Sequence, residues 1–307
     1  MFQRIALLIL VAAAVSCAAP QPAAPKEQTF TSPDEAARTL VDVVKKGNLD
    51  ELLKLLGPEG KELAETSDPV TGKRHREVFT VAAAEGWHLE EMGADKRTLV
   101  VGNESWPFPI PIVKEGTVWR FDTAAGKEEV IARRVGRNEL AVIQACRTYV
   151  IAQKLYAKHG HDGNPPGIFA RSFRSEPGKQ NGLYWPAARG ARRSPLGDLV
   201  ADAELERHTS APAGARPMPF HGYYFKIVTA QGAAATGGAR DYLVKGKMSG
   251  GFALVAWPAD YDVTGVMSFI VNQDGAVHEK DLGPDTAKVA ETVTSYDPDS
   301  TWKVVAP

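Results

Sequence analysis

The stretch AAGKEEVIARRVGRNELAVIQACRTYVIAQKLYAK, residues 124–158, contains no proline and repeats apolar side chains at steps of three and four. This spacing places them on one face of an α-helix, which at roughly 1.5 Å per residue would be about 50 Å long. The apolar positions are Ile131, Val135, Val142, Ala145, Tyr149, Ala152 and Tyr156. The pattern predicts a long helix with one apolar stripe, which a sheet must cover.

The sequence after this helix predicts that sheet. Runs rich in aromatic and β-branched residues at 223–228, 241–244, 252–257 and 268–271 are typical of strands. The tetrapeptide Asn272-Gln273-Asp274-Gly275 predicts a tight turn into a last short strand at 276–278. One long helix followed by an antiparallel meander predicts the α+β class for a domain over 124–307.

A smaller α+β domain is predicted over 30–123. Ser32, Pro33 and Glu35 form a capping box that opens a helix ending at Gly47, and a second helix is expected at 49–56. A polar, turn-rich segment at 67–72 leads to strands at 98–101, 110–113 and 118–122. Two helices followed by a curved sheet resemble the modules similar to nuclear transport factor 2, which often hold a small ligand in a cone.

The N-terminus reads as an export leader. Arg4 precedes an apolar run at 5–15, and the small residues 14–16 stand directly before Cys17, as a lipoprotein signal peptidase requires. We therefore expect a signal peptide over 1–17 that ends at a lipidated Cys17, followed by an Ala- and Pro-rich linker over 18–29. An ordinary secretory signal with an incidental Cys17 is the alternative. A spanning helix is disfavoured because it needs about 20 apolar residues.

This leader predicts a location in the cell envelope. The protein would lie on the periplasmic side of a membrane as a lipoprotein. Ala18 after the lipidated cysteine, rather than an aspartate, predicts the outer membrane by the usual sorting rule.

Composition argues against charged polymeric partners. The 36 Lys+Arg and 37 Asp+Glu give a net charge of −1, so no overall field attracts nucleic acid or an anionic membrane surface. If Cys17 is lipidated, Cys146 has no partner for a disulfide within the chain. Because it stands in an apolar helical run, we expect it to be a buried, unreactive thiol.

Several longer motifs resemble the bacterial family called domain of unknown function 2950. They are 106–111 (WPFPIP), 136–144 (GRNELAVIQ), 182–186 (GLYWP), 221–225 (HGYYF), 250–258 (GGFALVAWP) and 280–286 (KDLGPDT). The resemblance covers nearly everything from Phe30 to the C-terminus. It implies an exported protein, and the family name assigns no activity.

A second resemblance concerns the C-terminal half. Asn138-Glu139 in the long helix, followed by 222–225 (GYYF) and 265–275 (GVMSFIVNQDG), is similar to the globular domain of type IV pilin-like proteins. It implies a helix packed on an antiparallel sheet. It does not imply a pilus subunit, because Lys127, Glu128, Glu129, Arg133 and Arg134 stand where a fibre-core helix would be apolar.

The sequence offers candidates for binding but none for catalysis. Aromatic and histidine residues beside loops could stack on a sugar or peptide, or could simply pack the loops onto the sheet; they are Tyr184, Trp185, His221, Tyr223 and Trp257. His159, His161 and Asp162 could bind a metal ion, although two histidines in a Gly-rich turn are more often solvated. No further ligands follow at a diagnostic spacing, and we predict no cofactor.

These features predict a non-enzymatic, lipid-anchored envelope protein with a binding or scaffolding role. Its expected partners are the membrane, through the lipid anchor, and an envelope protein or glycan, but no nucleic acid. One alternative is an envelope hydrolase with an unrecognised site near His221 or His278. Another is a small-ligand carrier that uses a cone in the N-terminal domain, lined by Trp87, Trp106, Phe108 and Trp119.

Overall fold

The computed structural model of the chain describes residues 28–57, 59–60, 69–186, 193–199 and 219–306. The signal peptide predicted over 1–17, its Cys17, most of the linker, and Ser67 and Asp68 of the predicted turn lie outside these residues. In the part of the chain that is described, no helix combines the length and apolar character that a membrane span requires. The chain divides into two compact units between Lys127 and Glu128, and each unit is α+β.

Among its described residues, the first unit contains the helices α1 (Pro33–Lys46), α2 (Leu49–Leu56) and α3 (Pro69–Glu85). The predicted cap of α1 is present, because the backbone N–H of Glu35 donates to Ser32 Oγ over 3.2 Å. Gly47 ends α1 with a φ of 66°, a left-handed conformation that favours glycine. The turn predicted at 67–72 is wrong from Pro69 onward, since Pro69 starts α3 and suits the first turn of a helix.

The strands of the first unit form one antiparallel sheet. Its members are β1 (Trp87–Glu91), β2 (Lys96–Val101), β3 (Trp106–Pro107), β4 (Ile112–Glu115) and β5 (Val118–Phe121). The strand predicted at 110–113 starts two residues later, and β1 and β3 were not predicted. The helices bury Leu40, Leu55, Leu99, Ile112 and Phe121 against this sheet.

The second unit contains most of α4 (Thr123–Ala157), which confirms the helix predicted at 124–158. The part of the chain described after it contains the short helices α5 (Pro195–Leu199) and α6 (Thr286–Thr292). Val142, Cys146, Tyr149, Ala152 and Tyr156 of α4 are buried with the sheet residues in one core. Cys146 is fully buried, as expected from its apolar surroundings.

The sheet of the second unit is an antiparallel meander in the order β14-β13-β12-β11-β6. Its strands are β6 (Tyr223–Val228), β11 (Ala253–Pro258), β12 (Met267–Asn272), β13 (Val277–Asp281) and β14 (Lys303–Val304). The excursion between β6 and β11 holds β7 (Ala230–Gln231), β8 (Arg240–Asp241), β9 (Leu243–Val244) and β10 (Lys247–Met248). The single strand predicted at 241–244 is therefore two strands, separated at the buried Tyr242.

This sheet is covered on both faces. On β6, the hydroxyl of Tyr223 reaches the side that α4 occupies, where it meets Glu139. Lys226, an odd number of residues away, points to the opposite side and donates to the carbonyls of Glu291 and Val293 at the end of α6. Helix α6 packs on β11 from that side.

Burial of tyrosines in this core predicts an unusual alkaline titration. Burial raises the pKa of Tyr156 and of Tyr296 to about 12, and it raises the pKa of Tyr149 and Tyr223 even further. Unfolded tyrosines lose their protons near pH 10. Above that pH the unfolded chain therefore binds fewer protons than the native one, and the free energy of unfolding falls as pH rises from about 10 to 12.

Absorbance of tyrosinate measures this directly. Of the eight tyrosines, the four named above should stay protonated in the native protein at a pH where the guanidinium-unfolded chain has ionised all of them. Tyr149→Phe should remove one late-titrating group. A native titration in which all tyrosines ionise together near pH 10 would contradict the prediction.

Candidate functional site

The five residues predicted to bind a ligand lie in two places. Trp185, Tyr223 and Trp257 are buried in the core of the second unit, with exposed fractions of 5%, 0% and 7%. Tyr184 is half-buried, with the guanidinium of Arg174 at 5.9 Å from its ring centroid. His221 is exposed in the turn before β6. Stacking on a sugar needs an open ring face, so among these five residues Tyr184 and His221 are the accessible ones.

The two buried rings on the sheet belong to its packing. Trp257 on β11 contacts the ring of Tyr224 on β6 with centroids 6.0 Å apart. Tyr223 donates its hydroxyl to the Met267 carbonyl over 2.9 Å. Both aromatic side chains, which the sequence offered for stacking on a ligand, therefore serve contacts inside the fold.

The three residues considered as weak candidates for metal ligands are arranged differently from a ligand set. His159 is exposed, while His161 is buried, with 5% of its surface accessible. The carboxylate of Asp162 accepts the backbone N–H of Gln180 over 2.8 Å. In the described ranges no group of three or more His, Cys, Asp or Glu side chains is placed to hold a metal ion.

His161 instead caps the C-terminus of α4. Its Nε2 lies 3.1 Å from the Tyr156 carbonyl, and its Nδ1 lies 3.2 Å from Oε1 of Gln180. The imidazole stacks on the ring of Tyr156 at 4.1 Å, and Trp185 closes the cluster at 5.4 Å. The Tyr156 carbonyl is one of the helix-end carbonyls that lack a partner within the helix. It also accepts the backbone N–H of His159 over 3.2 Å, and His161 adds a second contact to it.

The other end of the α4–sheet contact is held by Asn138 and Glu139. One carboxylate oxygen of Glu139 accepts the backbone N–H groups of Val266 and Met267, each over 2.9 Å. Asn138 donates from its side chain to the Thr264 carbonyl over 2.8 Å. We call these five residues with Tyr223 the Glu139 cluster. Burial raises the pKa of Tyr223, and the negative charge of Glu139 raises it further.

The turn before β6 is strained beside this cluster. His221 has a φ of 47° and Gly222 a φ of 73°, both in the left-handed region that ordinary residues rarely adopt. A Cβ on Gly222 would lie 2.8 Å from Asn138 Nδ2 and 2.8 Å from Thr264 Cβ. The glycine is therefore required both by its conformation and by the close approach of α4 and the loop before β12.

Two polar contacts were not anticipated from the sequence. The amide of Gln153 on α4, fully buried, donates to the Ala170 carbonyl over 2.8 Å and accepts the Ala170 N–H over 2.9 Å. His278 on β13 lies 3.2 Å from the hydroxyl of Tyr296. The sequence signal for Gln153 was a glutamine on the apolar stripe of a helix, a position that requires hydrogen-bond partners once it is buried.

In the first unit, the aromatic residues proposed to line a cone do not share one environment. Trp119 is buried, whereas Trp106 is 44% exposed. Phe108 packs its ring against Phe79 of α3 at 5.5 Å, and Trp87 is partly buried beside the same core. These rings mainly pack helices and sheet together.

Replacing His161 separates a structural role from metal binding. We expect His161→Ala to lower the free energy of unfolding by about 2 kcal/mol, because it removes a buried stacked ring and one hydrogen bond. The exposed His159→Ala should change it by less than about 0.5 kcal/mol. Urea unfolding measures both. If added Zn²⁺ raised the melting temperature, and either substitution abolished that rise, the two histidines would be metal ligands.

Replacing Gly222 tests the close approach. Gly222→Ala should destabilise the protein by about 2 to 4 kcal/mol, because a conformational cost adds to an overpacking cost. Gly246 is the matched control, since its φ is 77° and no atom lies within 4 Å of an added Cβ. Gly246→Ala should cost about 1 kcal/mol. Equal losses in urea unfolding would show that α4 and the loop do not press on Gly222.

Comparisons with known proteins identify the family. Neither the curated proteins nor the solved structures contain a significant match to this chain. A family model described as "Protein of unknown function (DUF2950)" matches residues 27–305, which is most of the chain. The chain belongs to this DUF2950 family.

Proposed function

We propose that this chain is a non-enzymatic, lipid-anchored protein of the cell envelope, with a binding or scaffolding role on the periplasmic side of a membrane, the outer membrane where the cell has one. The observation that carries the proposal is the leader. A cation at Arg4, an apolar run and small residues directly before Cys17 form the substrate pattern of a lipoprotein signal peptidase.

The linker length suits a tether. The structure holds Phe30 on the sheet, where its backbone exchanges two hydrogen bonds with Trp119 of β5, each over 2.8 Å. Residues 18–29 connect Cys17 to this point, and a fully extended chain of this length would span about 40 Å. Alanine and proline give such a segment no core to bury.

Two potentially reactive side chains of the second unit, Cys146 and His161, are engaged inside the fold. Burial raises the pKa of the Cys146 thiol to about 12, which leaves almost none of the thiolate that a nucleophile needs. The imidazole of His161 is engaged through both ring nitrogens. The accessible Tyr184 and His221 are the side chains through which we propose contact with an envelope protein or glycan.

Metabolic labelling tests the anchor. Cells grown with an alkyne analogue of palmitate should label the wild-type protein, and Cys17→Ala should lose the label because the acylated thiol is gone. Cys146→Ala is the matched control, since it removes the other of the two cysteines and should keep the label. A wild-type protein that stays unlabelled and is released into the soluble fraction would refute the anchor.

A further inference from the structure

The outward face of α4 carries a line of cations interleaved with apolar side chains. Apart from the adjacent pair Lys154 and Leu155, its members follow one another at steps of three or four, so those within α4 share one side of the helix, and Lys158 stands directly after its last residue. They are Arg133, Arg137, Leu140, Gln144, Arg147, Ile151, Lys154, Leu155 and Lys158, and we call them the outer stripe. At roughly 1.5 Å per residue the outer stripe is about 38 Å long.

The apolar members of the outer stripe are exposed. Leu140, Ile151 and Leu155 are 67%, 50% and 38% accessible. They occur singly and not as one contiguous patch, and each has a lysine or arginine three or four residues away. A protein interface usually has an apolar centre depleted of charge, and lysine in particular. This arrangement does not fit that pattern.

The charge of the outer stripe is of one sign. Between residues 130 and 158 the sequence holds one acid, Glu139, and its carboxylate is turned toward the amides of Val266 and Met267. Arg133 pairs with Glu129, and Arg147 donates to the Ala306 carbonyl. Arg137, Lys154 and Lys158 have no ion pair with any other described residue.

We propose that the outer stripe is a docking surface for an anionic lipid bilayer. Lysine and arginine would meet the lipid phosphates, while the interleaved leucine and isoleucine side chains enter the boundary between headgroups and acyl chains. Helix α4 packs on the sheet through its opposite face, so the outer stripe faces away from the core of the second unit. This contact is separate from the Cys17 anchor and relies on the proposed function only for the identity of the membrane.

Vesicle binding tests the docking surface without the lipid anchor. The protein is the chain without residues 1–17, which keeps every described residue of both units. It should sediment with vesicles of phosphatidylcholine containing about 30 mol% phosphatidylglycerol, and not with phosphatidylcholine alone. Raising the salt from about 0.05 M to about 0.5 M should release it, because ions screen surface charges.

Charge reversal identifies the surface. Arg137→Glu, Lys154→Glu and Lys158→Glu together should weaken binding to the anionic vesicles at least about tenfold. The matched control reverses three exposed lysines elsewhere, Lys114→Glu, Lys245→Glu and Lys247→Glu, and should change binding less than about twofold. Leu140→Ser with Ile151→Ser should also weaken binding. All three variants should unfold at the wild-type temperature, because their side chains are exposed.

The proposal is wrong if the chain does not bind the anionic vesicles, if it binds neutral vesicles equally well, or if the control variant weakens binding as much as the outer-stripe variant. Its failure is distinct from failure of the anchor. Loss of vesicle binding with intact palmitate labelling would remove the docking surface alone, and vesicle binding with no labelling would remove the anchor alone.

Discussion

The position of α4 in the second unit depends on polar contacts at two points along the helix. Glu139 holds one end through two backbone amides, and Gln153, about 21 Å further along the axis, pairs with both backbone groups of Ala170. Burial of apolar side chains supplies most of the driving force for packing α4, but the hydrophobic effect is not directional. Hydrogen bonds at these two points fix how far the helix slides and how it rotates.

Losing these hydrogen bonds is also costly, because in each of them the partner of the side chain is a backbone group. If Glu139 is removed, the N–H groups of Val266 and Met267, at the partly buried start of β12, lose their acceptor. Leaving a buried polar group without a hydrogen bond costs more free energy than forming that hydrogen bond contributes. The same reasoning applies to Ala170. The strained turn at His221 and Gly222 persists beside Asn138 because α4 is already held there. Its left-handed backbone is thus a consequence of helix placement.

Local patterns in the sequence located the long helix to within one residue and placed four of the five strands of the meander, missing β14 and adding the segment 241–244, which lies outside it. They failed where a side chain's environment depends on a distant element. Trp257 and Tyr223 read as loop-side aromatics, but the two faces of their sheet are covered by α4 and α6, which lie far away in the chain. His161 was considered a solvated loop residue or a weak candidate for a metal ligand, because its partners, Tyr156 and Gln180, meet it only in the folded chain. Pro69 read as a turn because proline suits both a turn and the start of a helix.

The net charge of the chain does not describe the charge on the outer face of α4. A net charge of −1 suggests a surface without preference for anions. However, the positive and negative side chains are unevenly distributed along the chain. Between residues 130 and 158 the one acidic residue is Glu139, and its carboxylate binds backbone amides. This leaves Arg137, Lys154 and Lys158 on the outer face without an opposing charge. Acids that balance them in the total stand elsewhere, as at Asp285, Asp297 and Asp299 near the C-terminus. Because exposed charges act over about one Debye length, roughly 10 Å, a bilayer touching α4 would meet the local excess and not the sum.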